Sequence, residues 1–228
     1  MIDLINQVVY IHVPRTGGSN FCHEYYQRVL HHAVDKEIYK QYIVGHGTIH
    51  KHLIYAEYIE IYIGHDIDKF NQVCIIRNIY DLVVSTFFQT SERGTTFYTK
   101  WCSDNGMGIS FESWIRYLEM LATIVPVRFQ KNQWRSMLQS EYLAGCREEC
   151  MVINYDNYSN GINKWFSDTC NIQTDIQRTP TPGLIKQYKS ATYPIPRPTD
   201  YRDMYTDETK KSIDYLFREE IDIFEFMF

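Results

Sequence analysis

The feature that most restricts this fold is a short apolar run cut off by a polar, loop-forming turn, met twice. Val8-Val9-Tyr10-Ile11-His12-Val13 is almost continuously apolar and rich in β-branched residues, the pattern of a strand buried on both faces. It runs into Pro14-Arg15-Thr16-Gly17-Gly18-Ser19. Beyond that turn Phe21, Tyr25, Val29 and Leu30 recur near helical spacing. Val73-Cys74-Ile75-Ile76 is the second such run, and it ends at Arg77. Asn78 then stands as the N-cap of a helix through Tyr80, Val83, Val84 and Phe87. Strand, turn and helix in repeated succession imply an α/β fold with a mainly parallel sheet covered on both faces.

The remaining elements follow the same logic. Tyr42-Ile43-Val44 is a short apolar run that stops at Gly45-His46-Gly47, and Met151–Tyr155 is another strand. Tyr58–Ile63 fits a strand or a helix end equally well. Ser91–Gly108 is polar and glycine-containing and reads as a long loop. Phe111, Trp114, Ile115, Leu118 and Leu121 make one apolar helix face, which assigns Trp114 to the core. Helices are also expected over Gln133–Tyr142 and Gly161–Thr169. Thr179–Asp200 is proline-rich and irregular. Thr206 caps a last helix, with Asp207 and Glu208 in its first turn and Ile213, Leu216, Phe217, Ile221 and Phe224 as its buried stripe.

Composition narrows the class of function. The 228 residues suffice for one sizeable core, and a net charge of −5 disfavours a non-specific nucleic-acid binder, which would be basic. No segment has the ~18–20 uninterrupted apolar residues of a membrane span. The opening Met1–Gln7 carries Asp3 and no basic residue, so a signal peptide is not expected and a cytoplasmic location is. The 6 cysteines form no CxxC pair and read as reduced, unliganded thiols; no metal site is expected. Cys146 and Cys150 would share a face if their stretch were helical.

Two segments carry chemistry. In Pro14–Ser19 the glycines allow close backbone approach, helix-start amides point outward, Arg15 adds a cation and Thr16 and Ser19 add hydroxyls. That set suits a phosphate or sulfate. An ordinary strand-to-helix turn would look much the same. It is not a Walker A loop, because the basic residue precedes the glycines. In Arg77–Ser85, Arg77 sits at a strand end and Ser85 about two helical turns on, a pair able to grip one further phosphate at the carboxyl edge of the sheet.

Together, Pro14-Arg15-Thr16-Gly17-Gly18-Ser19 and Arg77-Asn78-Ile79-Tyr80-Asp81-Leu82-Val83-Val84-Ser85 resemble the sulfotransferases that use 3′-phosphoadenosine 5′-phosphosulfate (PAPS). The likeness is to the carbohydrate branch and its bacterial and viral relatives. Tyr155-Asp156-Asn157-Tyr158, Tyr201–Glu208 and Asp222-Ile223-Phe224 extend it towards the end of the chain. The middle of the chain shows no likeness. The resemblance implies a P-loop-like three-layer domain, a central parallel sheet flanked by helices, spanning residues 1–228 as a single domain. It implies transfer of a sulfuryl group from PAPS to a hydroxyl acceptor, expected to be a carbohydrate, with release of the desulfated nucleotide PAP. Arg15, Thr16, Gly17, Gly18, Ser19 and Asn20 would hold the 5′ end of the cofactor, and Arg77 and Ser85 the 3′-phosphate. Arg15 stands where lysine is usual, Asn20 where serine is common, and Ile79 and Leu82 replace a proline and an arginine.

The acceptor hydroxyl must lose a proton as it attacks sulfur, and charge grows on the leaving phosphate. Arg15 is the candidate to stabilise that charge. Of the 8 histidines, His46 in Gly45-His46-Gly47-Thr48 matches the context of the family's base. His65 and Glu24 are lesser candidates, and His12 is expected to be structural. Lys189, Arg197 and Arg202 are further candidate nucleotide contacts, though the pattern favours a solvated charge for each. Phe97, Tyr98 and Trp101 are candidate acceptor or adenine contacts. Two rival classes stand beside this reading: a phosphoryl-transfer enzyme with a related loop, and a non-catalytic nucleotide- or glycan-binding module.

Overall fold

The computed structural model describes residues 1–30, 43–44, 54–62, 64–92, 96–124, 137–177 and 198–228. They divide into two compact units, one within Met1–Arg77 and Gln139–Thr179, the other within Asn78–Leu138 and Pro180–Phe228.

The first unit is built on a five-stranded mixed sheet. Its strands are β1 (Ile2–Asp3), β2 (Val8–Ile11), β3 (Ile43–Val44), β4 (Asn71–Ile76) and β5 (Met151–Asn154), in the order β3-β1-β2-β4-β5. The apolar runs at Val8, Val73 and Met151 do pair in parallel, with Val8 opposite Asn71 and Val73 opposite Met151. The sheet departs from the parallel expectation on its other side. β1 pairs antiparallel with β2 and with β3. Too few residues separate β1 from β2 for a crossover, so the chain turns straight back on itself. Asp3 holds that turn: its carboxylate accepts from the Ile5 and Asn6 amides at 2.9 and 3.0 Å, and from the buried Tyr25 hydroxyl at 2.8 Å.

Helices cover both faces of this sheet. Tyr10, Val73, Ile75 and Ile153 point to one face, where α1 (Gly18–Tyr25) brings Phe21 and Tyr25. The helix after β5 brings Tyr158, Ile162, Trp165 and Phe166 to the same core. Tyr10 stacks on Phe21 with centroids 4.2 Å apart. Gln72 points to the opposite face, where its amide donates to Tyr55 Oη at 2.7 Å. Tyr55 opens α2 (Tyr55–Ile61), which settles the ambiguous stretch before Ile63 as helix. β5 has Val152 44% exposed and contributes mainly Ile153 to the core.

The second unit is helical: α3 (Ile79–Glu92), α4 (Phe97–Asp104), α5 (Phe111–Ile124), then after the first unit's α6 (Gln139–Leu143) and α7 (Tyr158–Cys170) come α8 (Asp207–Leu216) and α9 (Arg218–Phe224). Asn78 caps α3 as expected, its Oδ1 accepting from the Tyr80 amide at 3.1 Å. Thr206 caps α8, accepting from the Thr209 amide at 3.2 Å. Trp114 is fully buried, in edge-on contact with Tyr98 at 5.1 Å. Three expectations change. The polar stretch at Ser91 contains α4, capped by Thr96 through a reciprocal pairing with Thr99, so local capping outweighs weak apolar periodicity. The last helix breaks at Phe217, whose φ of −119° and ψ of 26° leave helical geometry. Cys146 and Cys150 lie in turns beyond α6 and not on a helix.

Among the described residues no helix is long and apolar enough to cross a membrane. Gly161 on α7 lets that helix lie against β5, since an added Cβ would stand 2.5 Å from Ile153 Cγ2. Gly161→Ala is therefore expected to lower stability by about 1–3 kcal/mol. Gly108→Ala, with nothing within 4 Å of its Cβ, should change it by less than ~0.5 kcal/mol. Paired urea denaturation midpoints check both.

Candidate functional site

Parallel pairing of β2, β4 and β5 brings the segments after their carboxyl ends to one edge of the first unit's sheet. Those segments are Pro14–Gly17, Arg77 and Tyr155–Asn157. The first expected motif, the start of the second and the Tyr155–Tyr158 junction are thus neighbours.

The loop after β2 is tightly curled. Arg15 has φ +68° and Gly17 has φ +89°, so two left-handed residues flank Thr16. Such alternation turns successive backbone N–H groups toward one concave side. Gly17 is the N-cap of α1 and offers no side-chain cap. Its carbonyl accepts from the Asn20 and Phe21 amides at 3.0 and 3.2 Å. The first amides of the helix have no acceptor within it, as at any helix start, and the helix dipole favours an anion there. Arg15, Gly17 and Ser19 are half-buried, whereas Thr16, Gly18 and Asn20 are buried.

The two glycines have separate reasons. Gly17 needs its left-handed conformation and lies under the rings of Tyr155 and Tyr158, with an added Cβ at 3.1 and 2.9 Å from them. Gly18 is required by packing: a Cβ there would stand 2.3 Å from Tyr10 Oη and 2.4 Å from the His12 ring. The close approach it permits is between α1 and β2. His12 itself is buried and tilted against Tyr10, in keeping with a structural role. Thr16 is fully buried and its hydroxyl donates to the Val13 carbonyl at 2.9 Å, so it braces the loop from beneath.

Arg77 links the loops. Its Nη1 donates to the Arg15 carbonyl at 2.9 Å, and its guanidinium lies 4.5 Å from the centroid of the Tyr155 ring. Gln139, fully buried at the start of α6, acts as a surrogate strand neighbour. Its Oε1 accepts from the Arg77 amide and its Nε2 donates to the Arg77 carbonyl, both at 2.8 Å. The Tyr158 hydroxyl donates to the Gly17 carbonyl at 3.4 Å. Desolvation raises the Tyr158 hydroxyl pKa, so the group stays a neutral donor. Sequence reasoning missed Gln139 altogether, because nothing local marks a glutamine that pairs 62 residues away. The Tyr155–Tyr158 junction was legible only as a motif, not as the aromatic cover of Gly17.

The other expected residues fall elsewhere. Ser85 is buried on α3 in the second unit, so the two ends of the Arg77–Ser85 motif belong to different compact units. His46, Lys189 and Arg197 lie outside the described residues. His65 is exposed in the turn leading into the amino end of β4, the edge opposite Pro14–Ser19. Glu24 is ion-paired with Arg28 at 2.9 Å. Arg202 pairs with Asp200 and lies over the Tyr201 ring, in the second unit. Phe97 is 82% exposed, and Tyr98 is buried with its hydroxyl bonded to the Ser110 carbonyl at 2.8 Å. Among the described residues no group of His, Cys, Asp and Glu is placed to hold a metal ion.

What this edge offers chemically is a curled backbone at a helix start, with Arg15 on it and Arg77 beneath. Such a donor set fits a phosphate or sulfate group. Comparison of the chain with protein-family models, curated proteins and solved structures finds no match.

Gln139→Leu removes both partners of the Arg77 backbone at once. It is expected to cost about 1–3 kcal/mol for each orphaned buried group, read as a lowered denaturation midpoint.

Proposed function

We propose that this chain is a PAPS-dependent sulfotransferase that transfers a sulfuryl group to a hydroxyl acceptor, a carbohydrate. The observation that carries the reading is the Arg77–Arg15 contact. It joins the cation of the second motif to the loop of the first at the carboxyl edge of parallel strands. Strain gives independent support. A non-glycine residue held at φ +68° costs of order 1–3 kcal/mol and is kept where the surroundings impose it. Here the Arg77 guanidinium holds the Arg15 carbonyl in that turn. A strand, a glycine turn and a helix start in this arrangement are also what a P-loop-like domain would use.

In this reading the amides of Gly17, Gly18 and Ser19, with the Arg15 side chain and the Ser19 hydroxyl, bind the 5′-phosphosulfate end. Thr16 braces that loop from the buried side, and the Asn20 amide closes its first helical turn on the Gly17 carbonyl. Arg77 accounts for the 3′-phosphate; Ser85, which the resemblance pairs with it, belongs to the other compact unit. PAPS supplies an activated sulfuryl group whose leaving phosphate gains negative charge. Arg15 stabilises that charge, and His46 takes the acceptor's proton. The reading needs no metal, and it carries with it a cytoplasmic setting.

The test is thermal and chemical. PAP at about 100 times its Kd should raise Tm by roughly 5–10 °C, and ATP with Mg²⁺ should not. Arg15→Ala and Arg77→Ala should each lose most of that shift. Incubation with labelled PAPS and a glycan panel should yield labelled product. His46→Ala should keep the PAP shift and lose at least ~100-fold in turnover. No shift with PAP and no product would sink the reading, and a shift with ATP and Mg²⁺ in its place would favour phosphoryl transfer. PAP binding with no product from any acceptor would favour a binding module.

A further inference from the structure

The opposite edge of the same sheet holds a second cluster that the proposed reaction does not use. Cys74 is fully buried on β4, and Cys146 and Cys150 are half-buried in the turns that lead into β5. Val152 pairs with Cys74 across the two strands, which brings the start of β5 alongside the amino half of β4. The turn is pinned there. The Cys150 amide donates to the Arg147 carbonyl at 3.0 Å, and the Arg147 amide donates to Gln72 Oε1 at 3.0 Å. Arg147 also reaches the Asp68 carbonyl through Nη1 at 3.0 Å. Cys150 opens onto a cavity of about 230 Å³, lined also by Gln72, Arg147, Glu149, Met151 and Trp165.

We propose that Cys150 is a nucleophilic thiol that exchanges with small-molecule disulfides entering this cavity, and that Cys146 is its resolving partner. The Cys150 thiolate attacks one sulfur of the disulfide RS–SR. The S–S bond breaks, RS⁻ leaves with the bonding pair and takes a proton from water, and a Cys150–S–S–R bond forms. Cys146 then loses its proton to solvent and attacks the Cys150 sulfur, which expels the second RS⁻. The two protein thiols are oxidised by two electrons to a Cys146–Cys150 disulfide, and RS–SR is reduced to two thiols.

The surroundings favour Cys150 as the attacking group. Hydrogen bonds from the Cys146 and Cys74 thiols hold its thiolate well below the ordinary range. The same contacts, with burial, push Cys74 and Cys146 up. The other ionisable groups facing this corner are Tyr55 on α2, Asp68 before β4, and the Arg147–Glu149 ion pair on the turn. Cys22, Cys102 and Cys170 lie outside it, the first two buried.

Because a thiolate is the reactive form, the pH profile of modification reports which cysteine is poised. The folded wild-type protein is treated with iodoacetamide from pH 5 to pH 9, and the labelled peptide is mapped. Cys150 should label first, at least ~10-fold faster at pH 6 than in the same chain unfolded in urea. Its rate should level off below the pH at which the unfolded control does. Oxidised glutathione should leave an internal Cys146–Cys150 disulfide in the wild type, a persistent glutathione adduct on Cys150 in Cys146→Ser, and neither in Cys150→Ser. First labelling at another cysteine, or a Cys150 profile that matches the unfolded chain, overturns the proposal. So does an adduct that persists in the wild type as it does in Cys146→Ser. The wild-type labelling experiment needs no variant, so a misfolded mutant does not leave the outcome open. None of these results depends on PAP, so they stand or fall apart from the sulfotransferase reading.

Discussion

A guanidinium taken out of water has to be met by acceptors, and Arg77 shows how one residue so constrained organises an edge of a sheet. It is only 6% exposed. Its side chain is received by the Arg15 carbonyl and by the face of Tyr155, and its backbone by both ends of the Gln139 amide. Those contacts tie together the ends of β2, β4 and β5 and the start of α6. The curl at Arg15 and Gly17, the seat of Gly17 under two tyrosines and the entry into α1 all hang on that arrangement.

The sheet beneath it separates two kinds of chemistry. At the carboxyl edge, the helix-start amides of α1 lie beside Arg15 and Arg77. At the amino edge, Cys74, Cys146 and Cys150 share a corner beside a cavity. Both arrangements follow from the parallel pairing of β2, β4 and β5, which puts the carboxyl ends of those three strands on one side. An antiparallel sheet would have interleaved them.

Much of the sheet and of its helices was legible in the sequence. Continuous apolar runs marked β2, β4 and β5, Asn78 and Thr206 announced their helices, and Trp114 sat where its helical face put it. The two basic loops were legible as turns after parallel strands, and the structure places Pro14–Gly17 and Arg77 at one edge of the sheet. Yet Gly18 turned out to serve packing against Tyr10 and His12. Thr16 faces inward to Val13. What failed was of a different kind. The Met1–Gln7 segment concealed a strand because β1 has only two residues, and α4 lay within a polar stretch because a Thr96–Thr99 capping pair is not an apolar signal.

Sequence alone therefore determined the local order of this protein. Periodicity, caps and turn residues act over a few positions, and they are written where they act. Only the tertiary structure decided which distant groups meet. Gln139 completes Arg77 across 62 residues of chain, Tyr155 stacks on it from a third strand, and Cys74 comes alongside Cys150 only when β4 and β5 are in register. Such pairings depend on which strands become neighbours, and local periodicity marks the faces of a strand without naming its partner.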